Sequence, residues 1–139
     1  MISVVIPAYN EEENIAEAAE AVSSVLSTCG EDFEIIFVDD GSRDLTWEKI
    51  LSVSERPGSK IRGLRFSRNF GKEAAIRAGL DSSAGDAVAV IDCDLQHPPA
   101  KLSEMIEKWR QGADVVEGKK AFRGSEAKSY GFWQRCSIQ

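Results

Sequence analysis

Two aspartates one residue apart close an apolar run in the segment VIDCDLQHPP, residues 90–99. Such neighbours repel unless a cation or hydrogen-bond donors lie between them. On an extended segment the side chains of residues i and i+2 point to the same side. Asp92 and Asp94 can therefore reach one divalent ion, and Gln96 adds a third oxygen at the same spacing. An all-oxygen set suits Mg2+ or Mn2+; Mg2+ typically takes only one or two carboxylates and fills its shell with water and substrate phosphates. A polar cap on a buried strand is the alternative; the metal site is the expectation.

Three more polar clusters each have two readings. In Pro7-Ala8-Tyr9-Asn10-Glu11, Tyr9 can offer an aromatic face to a base or sugar and Glu11 can accept hydrogen bonds from it. The same residues also suit a simple strand-to-helix turn. Asp39-Asp40-Gly41-Ser42 consists of turn formers, yet two adjacent acids need donors, which a base or a ribose hydroxyl would supply. The third cluster, Ser67 to Lys72, is a loop running into a predicted helix that Lys72 opens, where a cation opposes the helix dipole. An anion bound there removes the conflict, since helix amides and Lys72 would both point at phosphate; an exposed lysine is the plainer alternative.

His97 is the single histidine and fits a ligand, an acid–base group or a structural loop. Without a second histidine or a cysteine pair, nucleophilic triads are not supported. Cys29, Cys93 and Cys136 lack metal-ligand spacing and read as free thiols, which implies the cytoplasm.

The elements that must position these clusters alternate along the chain. Expected strands are Ile2–Ile6 (closed by Pro7), Phe33–Val38, Ile61–Phe66, Ala87–Ile91 and Ala113–Val116. Between them come four helices. The first is capped by Asn10 and ends at Cys29-Gly30, with Ile15, Ala18, Val22 and Val25 on one face. The second is capped by Asp44 and stopped by Arg56-Pro57-Gly58. The third spans about Lys72–Ser83. The fourth is opened by Pro98-Pro99, with Leu102, Met105, Ile106 and Trp109 on one face. This alternating order implies an α/β fold, a mainly parallel sheet with helices on both faces and right-handed crossovers. Each polar cluster follows the carboxyl end of a strand, the rim where open α/β sheets bind ligands.

The 139 residues suit one domain, and 42% hydrophobic with 29% charged residues is ordinary for a globular protein. No run of about 18 apolar residues and no leader-like segment stands out. The net charge of −6 is uneven: residues 119–139 hold five bases and one acid, a balance of +4, leaving −10 on the first 118. The acidic body argues against nucleic acid as a partner, whereas the basic tail can meet phosphate groups or an anionic membrane surface, or simply be solvated.

In order, VVIPAYNEEENI, EIIFVDDGSRD, SRNFGKEAAIRAGLDSSAGD, VIDCDLQHPP and DVVEGKK resemble the family 2 glycosyltransferases of GT-A (Rossmann-like) fold. The closest likeness is to the branch that loads a sugar onto a polyprenyl phosphate, such as dolichol-phosphate mannose synthase and bactoprenol glucosyltransferases. The resemblance implies that Pro7, Ala8, Tyr9 and Glu11 hold the nucleoside, with Val38, Asp39 and Asp40 completing the base and ribose pocket. Lys72, Asp92, Cys93, Asp94 and Lys120 would complete the donor site. Asp92 and Asp94 match the family's D-x-D, and Gln96 matches a further metal ligand of that branch.

Cys93 stands where alanine is usual. Gly118-Lys119-Lys120 places Lys120 at a family arginine, keeping charge but losing the two-pronged contact, and Arg123 fits a second basic position. Lys120 and Arg123 would then meet the acceptor phosphate.

The expectation is a nucleotide-sugar-binding core at residues 1–118 and the basic start of an acceptor region at 119–139, in the donor-binding part of a longer protein at the cytoplasmic face of a membrane. The donor is a UDP- or GDP-linked sugar, transferred with inversion to a polyprenyl phosphate with help from Mg2+ or Mn2+. Alternatives are transfer to a saccharide hydroxyl, or a fragment that only binds nucleotide. A dehalogenase-type phosphatase would carry its D-x-D after the first strand, and a signalling receiver would cluster acids there.

Overall fold

The computed structural model describes residues 1–118 in full and, beyond them, only the backbone strands at Lys119, Ser129–Tyr130 and Trp133–Arg135. The chain runs β1 (Ile2–Ala8), α1 (Ile15–Thr28), β2 (Phe33–Asp39), α2 (Thr46–Ser54), β3 (Ile61–Arg65) and α3 (Lys72–Ser82). It continues through β4 (Ala87–Val90), α4 (Lys101–Arg110), β5 (Gly118–Lys119), β6 (Ser129–Tyr130) and β7 (Trp133–Arg135). All seven residues of β1 are buried, as a strand covered on both faces requires.

The main sheet has the order β3-β2-β1-β4-β7, parallel from β3 to β4, with β7 antiparallel beside β4. The chain steps outward from β1 to β3 and then returns past β1 to β4. Strand order therefore reverses between β1 and β4, and a crevice opens at their carboxyl ends.

Side-chain alternation along β1 divides the core. Ile2, Val4, Ile6 and Ala8 face α1, α2 and α4, packing against Ile15, Val22, Ile50 and Ile106. On the other face Val5 joins Ile36, Val38, Val88 and Ala75 of α3. Helix α3 lies so close to β1 that a Cβ on Gly79 would stand 2.2 Å from Val5 Cγ1.

Several expected boundaries differ, each for a local reason. β1 continues through Pro7. Val5 O accepts from Ile91 N on the β4 side and Ala8 O from Asp40 N on the β2 side, so alternation aims Pro7 toward β4. Pairing with β4 ends at Val5↔Val90, so the N–H that proline lacks has no partner to lose. Asn10 does not cap α1; it has φ 51°, a left-handed conformation asparagine tolerates. Its Oδ1 accepts from Arg43 N, while residues 11–14 make a separate turn before Ile15.

Asp44 precedes the α2 cap by one residue and accepts from Thr46 N at 3.0 Å. Pro98 and Pro99 form a turn leading into α4 rather than its first residues. No strand forms at residues 113–116. The next pairing is β5 with β6 in a separate two-stranded sheet, and β7 fills the fifth place in the main one.

Candidate functional site

The crevice is a cavity of about 360 Å³ lined by Pro7, Ala8, Tyr9, Glu11, Asp40, Lys72, Ala75, Asp92, Cys93, Asp94 and Gln96. Four chain segments supply these residues: the ends of β1, β2 and β4, and the start of α3.

The β1 segment is fastened to the loop after β2. Asn10 N donates to Ser42 Oγ and Glu11 N to Thr46 Oγ1, both at 2.9 Å. Glu11 Oε2 accepts from Asn14 Nδ2 at 2.6 Å. Tyr9, tied by neither contact, is left 43% exposed at the mouth, where its ring is available for stacking.

The two acids at the end of β2 do different work. Asp39 is fully buried: its Oδ1 accepts from Ser42 N at 2.9 Å, and its Oδ2 lies 3.5 Å from Arg65 Nε with no hydrogen bond among the described residues. Asp40 clamps the loop before α3. Its carboxylate accepts from Phe70 N at 2.8 Å, Gly71 N at 3.1 Å and Asn69 Nδ2 at 3.1 Å. Gly41 makes this approach possible, because a Cβ there would meet the Arg68 backbone at 2.2 Å and the residue has φ 69°. The amides of Phe70 and Gly71 thus point at Asp40 and do not take the anion-facing role expected of the helix start.

Lys72 Nζ lies 2.5 Å from Asp92 Oδ1. Asp92 to Gln96 is not an extended segment. Leu95 N donates to Asp92 O at 3.3 Å, Gln96 N to Asp94 Oδ1 at 3.2 Å, and Leu95 has φ 54°. A turn, not strand alternation, brings Asp92, Asp94 and Gln96 to the same cavity.

Cys93, between the aspartates, is buried against the core. Burial, reinforced by Glu11, Asp94 and Asp92, pushes its thiol up to about 12. It is thus a neutral thiol rather than a soft anionic ligand.

The charge of the lining sets what can bind. Among the described residues Glu11, Asp40, Asp92 and Asp94 face one cation, Lys72, a formal balance of −3. Among the described residues no group of three His, Cys, Asp or Glu side chains is placed to hold a metal alone. The expected oxygen donors Asp92, Asp94 and the Gln96 amide all line the cavity. That matches the one or two carboxylates Mg2+ requires when phosphate and water complete the shell. The residues present fit a hard divalent ion shared with a ligand, not a self-sufficient metal cage.

Of the expected site residues, Val38 lies in the core beneath α3, and neither it, Asp39 nor His97 lines the cavity. Lys120 and Arg123 lie outside the described residues. One contributor escaped sequence reasoning. Ala75 lines the wall one helical turn after Lys72, a position the i, i+3 spacing could have flagged. Asn69 fell within the expected Ser67–Lys72 cluster without a role of its own; it holds Asp40, as the donor requirement of a buried acid could have suggested.

A family model described as glycosyl transferase family 2 matches residues 3–135. The chain is 41% identical over 135 residues to an undecaprenyl-phosphate 4-deoxy-4-formamido-L-arabinose transferase of Pseudomonas aeruginosa, covering 97% of this chain and 38% of that protein. It is 43% identical over 124 residues to the uncharacterized glycosyltransferase YkcC of Bacillus subtilis, covering 89% and 38% respectively. The chain therefore spans well under half the length of these relatives.

Two solved structures share the fold. A mannosyltransferase from Pyrobaculum calidifontis in complex with GDP-Man and Mn2+ superposes with TM-score 0.68 at 23% identity, over 84% of this chain and 34% of that one. Glucosyl-3-phosphoglycerate synthase from Mycobacterium tuberculosis with Mn2+, UDP and phosphoglyceric acid gives TM-score 0.68 at 27% identity, over 90% and 44%.

Proposed function

This chain belongs to glycosyl transferase family 2, and from that premise we propose that it forms the donor-binding part of a sugar transferase. The donor is a nucleoside diphosphate sugar, the acceptor a polyprenyl phosphate, and transfer inverts the anomeric carbon. The carrying observation is the −3 lining, among the described residues, of a cavity at the strand-order reversal. These acids repel a diphosphate, and a cation arriving with it offsets that repulsion.

Asp92, Asp94 and Gln96 would hold Mg2+ or Mn2+ there; when bound, the ion acts as a Lewis acid toward the leaving diphosphate. The chain's own residues do the rest. Tyr9 offers a face to the base or sugar, Glu11 accepts hydrogen bonds from the nucleoside, and Lys72 pairs with phosphate. Asp40 holds the loop that presents Lys72. Val38 and Asp39 would complete the base and ribose pocket through the end of β2, which carries Asp40.

The acceptor reading draws on the undecaprenyl-phosphate transferase among the relatives. A lipid phosphate is already an anion, so attack on the sugar needs no general base. Residues 119–139, with Lys120 and Arg123, would begin the acceptor region, and the full-length protein would work at the cytoplasmic face of a membrane. Among the described residues no helix is long and apolar enough to cross one.

Calorimetric titration with UDP, GDP, UDP-glucose and GDP-mannose, with and without Mn2+, tests the donor site. Metal-dependent binding of one nucleotide series is expected; metal-independent binding or none would refute it. Transfer by the full-length protein only to saccharide hydroxyls would reject the lipid acceptor.

A further inference from the structure

Among the described residues Lys72 is the single cation lining the cavity, and it stands on a carboxylate assigned above to the metal. Its Nζ is 2.5 Å from Asp92 Oδ1, with the Lys72 side chain 54% and that of Asp92 23% exposed. A divalent ion approaching Asp92 must therefore displace this ammonium or tolerate a like charge beside it. We infer that Lys72 is a built-in counter-cation that leaves Asp92 for the donor diphosphate on binding, so that nucleotide and metal bind cooperatively.

Three features support the exchange. Lys72 begins α3, and the Phe70 and Gly71 amides just before it are committed to Asp40. An arriving phosphate thus meets the ammonium, while the anchored loop keeps the start of α3 in place. The exposed, four-carbon lysine stem can swing without disturbing the core. Finally, with Lys72 on Asp92 the lining remains net negative, so a diphosphate entering alone is repelled, and a metal entering alone competes with Lys72 for its ligand. Each ligand relieves the cost the other meets, the metal by offsetting the acids that repel the diphosphate and the diphosphate by taking Lys72 off Asp92, which is a reciprocal coupling between the two ligands. Lys72 is a positioning residue in this scheme.

The inference rests on the nucleoside diphosphate reading, and its test separates the two. Mn2+ is titrated calorimetrically into the wild type, Lys72→Met and Lys72→Arg, each without nucleotide and with saturating UDP or GDP. Lys72→Met should bind Mn2+ alone about three- to fivefold more tightly than wild type, the range an exposed ion pair supports. Its enhancement of metal affinity by nucleotide should shrink by a similar factor. Lys72→Arg, which keeps the charge, should stay near wild type. Thermal unfolding of each variant checks folding, and Lys72→Gln replaces Lys72→Met should the latter unfold. Unchanged or weaker Mn2+ binding by the neutral variant overturns the inference. Absence of nucleotide binding in the wild type would instead refute the donor site.

Discussion

At the amino-terminal rim of the sheet, Glu34 accepts from Ser3 Oγ at 2.6 Å, Ala84 N at 2.8 Å and Arg62 Nε at 3.0 Å. Around it Asp86 meets the Met1 amine, Asp32 meets Lys60, and Glu31 meets Arg110. Each of these acids has a protein cation within 3.1 Å. At the carboxyl rim, Glu11, Asp92 and Asp94 share a cavity in which Lys72 is the one cation among the described residues, and Asp40 is satisfied by uncharged donors. One rim is closed by its own ion pairs; the other keeps an excess of negative charge. Neutralised acids hold a fold together, whereas the acidic cluster at the other rim is where the proposed divalent ion would act.

The sharpest way to break this contrast is Asp40→Ala, which strips the acceptor from two backbone amides and Asn69. Denaturant unfolding should show a loss of about 3 kcal/mol, from buried donors left unpaired. Asp94→Asn should behave oppositely. Asp94 is exposed, so the melting temperature should hold while Mn2+-dependent nucleotide affinity falls roughly 10- to 100-fold, on the scale of damage to a metal site. Nucleotide binding unaffected in this variant would remove the carboxyl rim from the donor site.

Glu34→Gln should cost about 1–2 kcal/mol of stability from weakened charged hydrogen bonds, and leave nucleotide binding unchanged. Its pH signature has a definite sign. Burial pushes Glu34 up, but Ser3, Ala84 and Arg62 together bring it below the ordinary glutamate value. The folded state thus binds the proton less readily than the unfolded chain. The stabilisation is present above the unfolded pKa of about 4.3 and is lost as pH falls through the lower folded value. Urea midpoints of the wild type and Glu34→Gln should therefore converge on acidification. The smallest effect belongs to Asp32→Asn. This acid is exposed beside Lys60, and its unfolding midpoint should not move measurably.

Much of the site was legible because strand ends carry their polar residues in order. Tyr9, Glu11, Asp40, Lys72, Asp92, Asp94 and Gln96 were all expected at one rim, and the parallel sheet brings them to one cavity. Less legible was how they get there. Asp92 and Gln96 meet through a turn at Leu95, a left-handed conformation that nothing in leucine's side chain favours. Asp39 and Asp40 look equivalent as neighbours, yet alternation buries the first beside Arg65 and turns the second onto the next loop. Asn10 has the look of a helix cap because asparagine suits caps, but a cross-loop bond to Arg43 prevails.

The sequence by itself determined the alternation of strands and helices, the apolar faces that form the core and the acids at the carboxyl rim. These follow from periodicity and residue type, which act over short separations. Tertiary structure alone decided which acids are neutralised. Asp40 is met by donors about 30 residues away, and Asp92 by a lysine 20 residues back. Charge balance in a cavity depends on distances across the sheet, and strand order sets those distances, not neighbours along the chain.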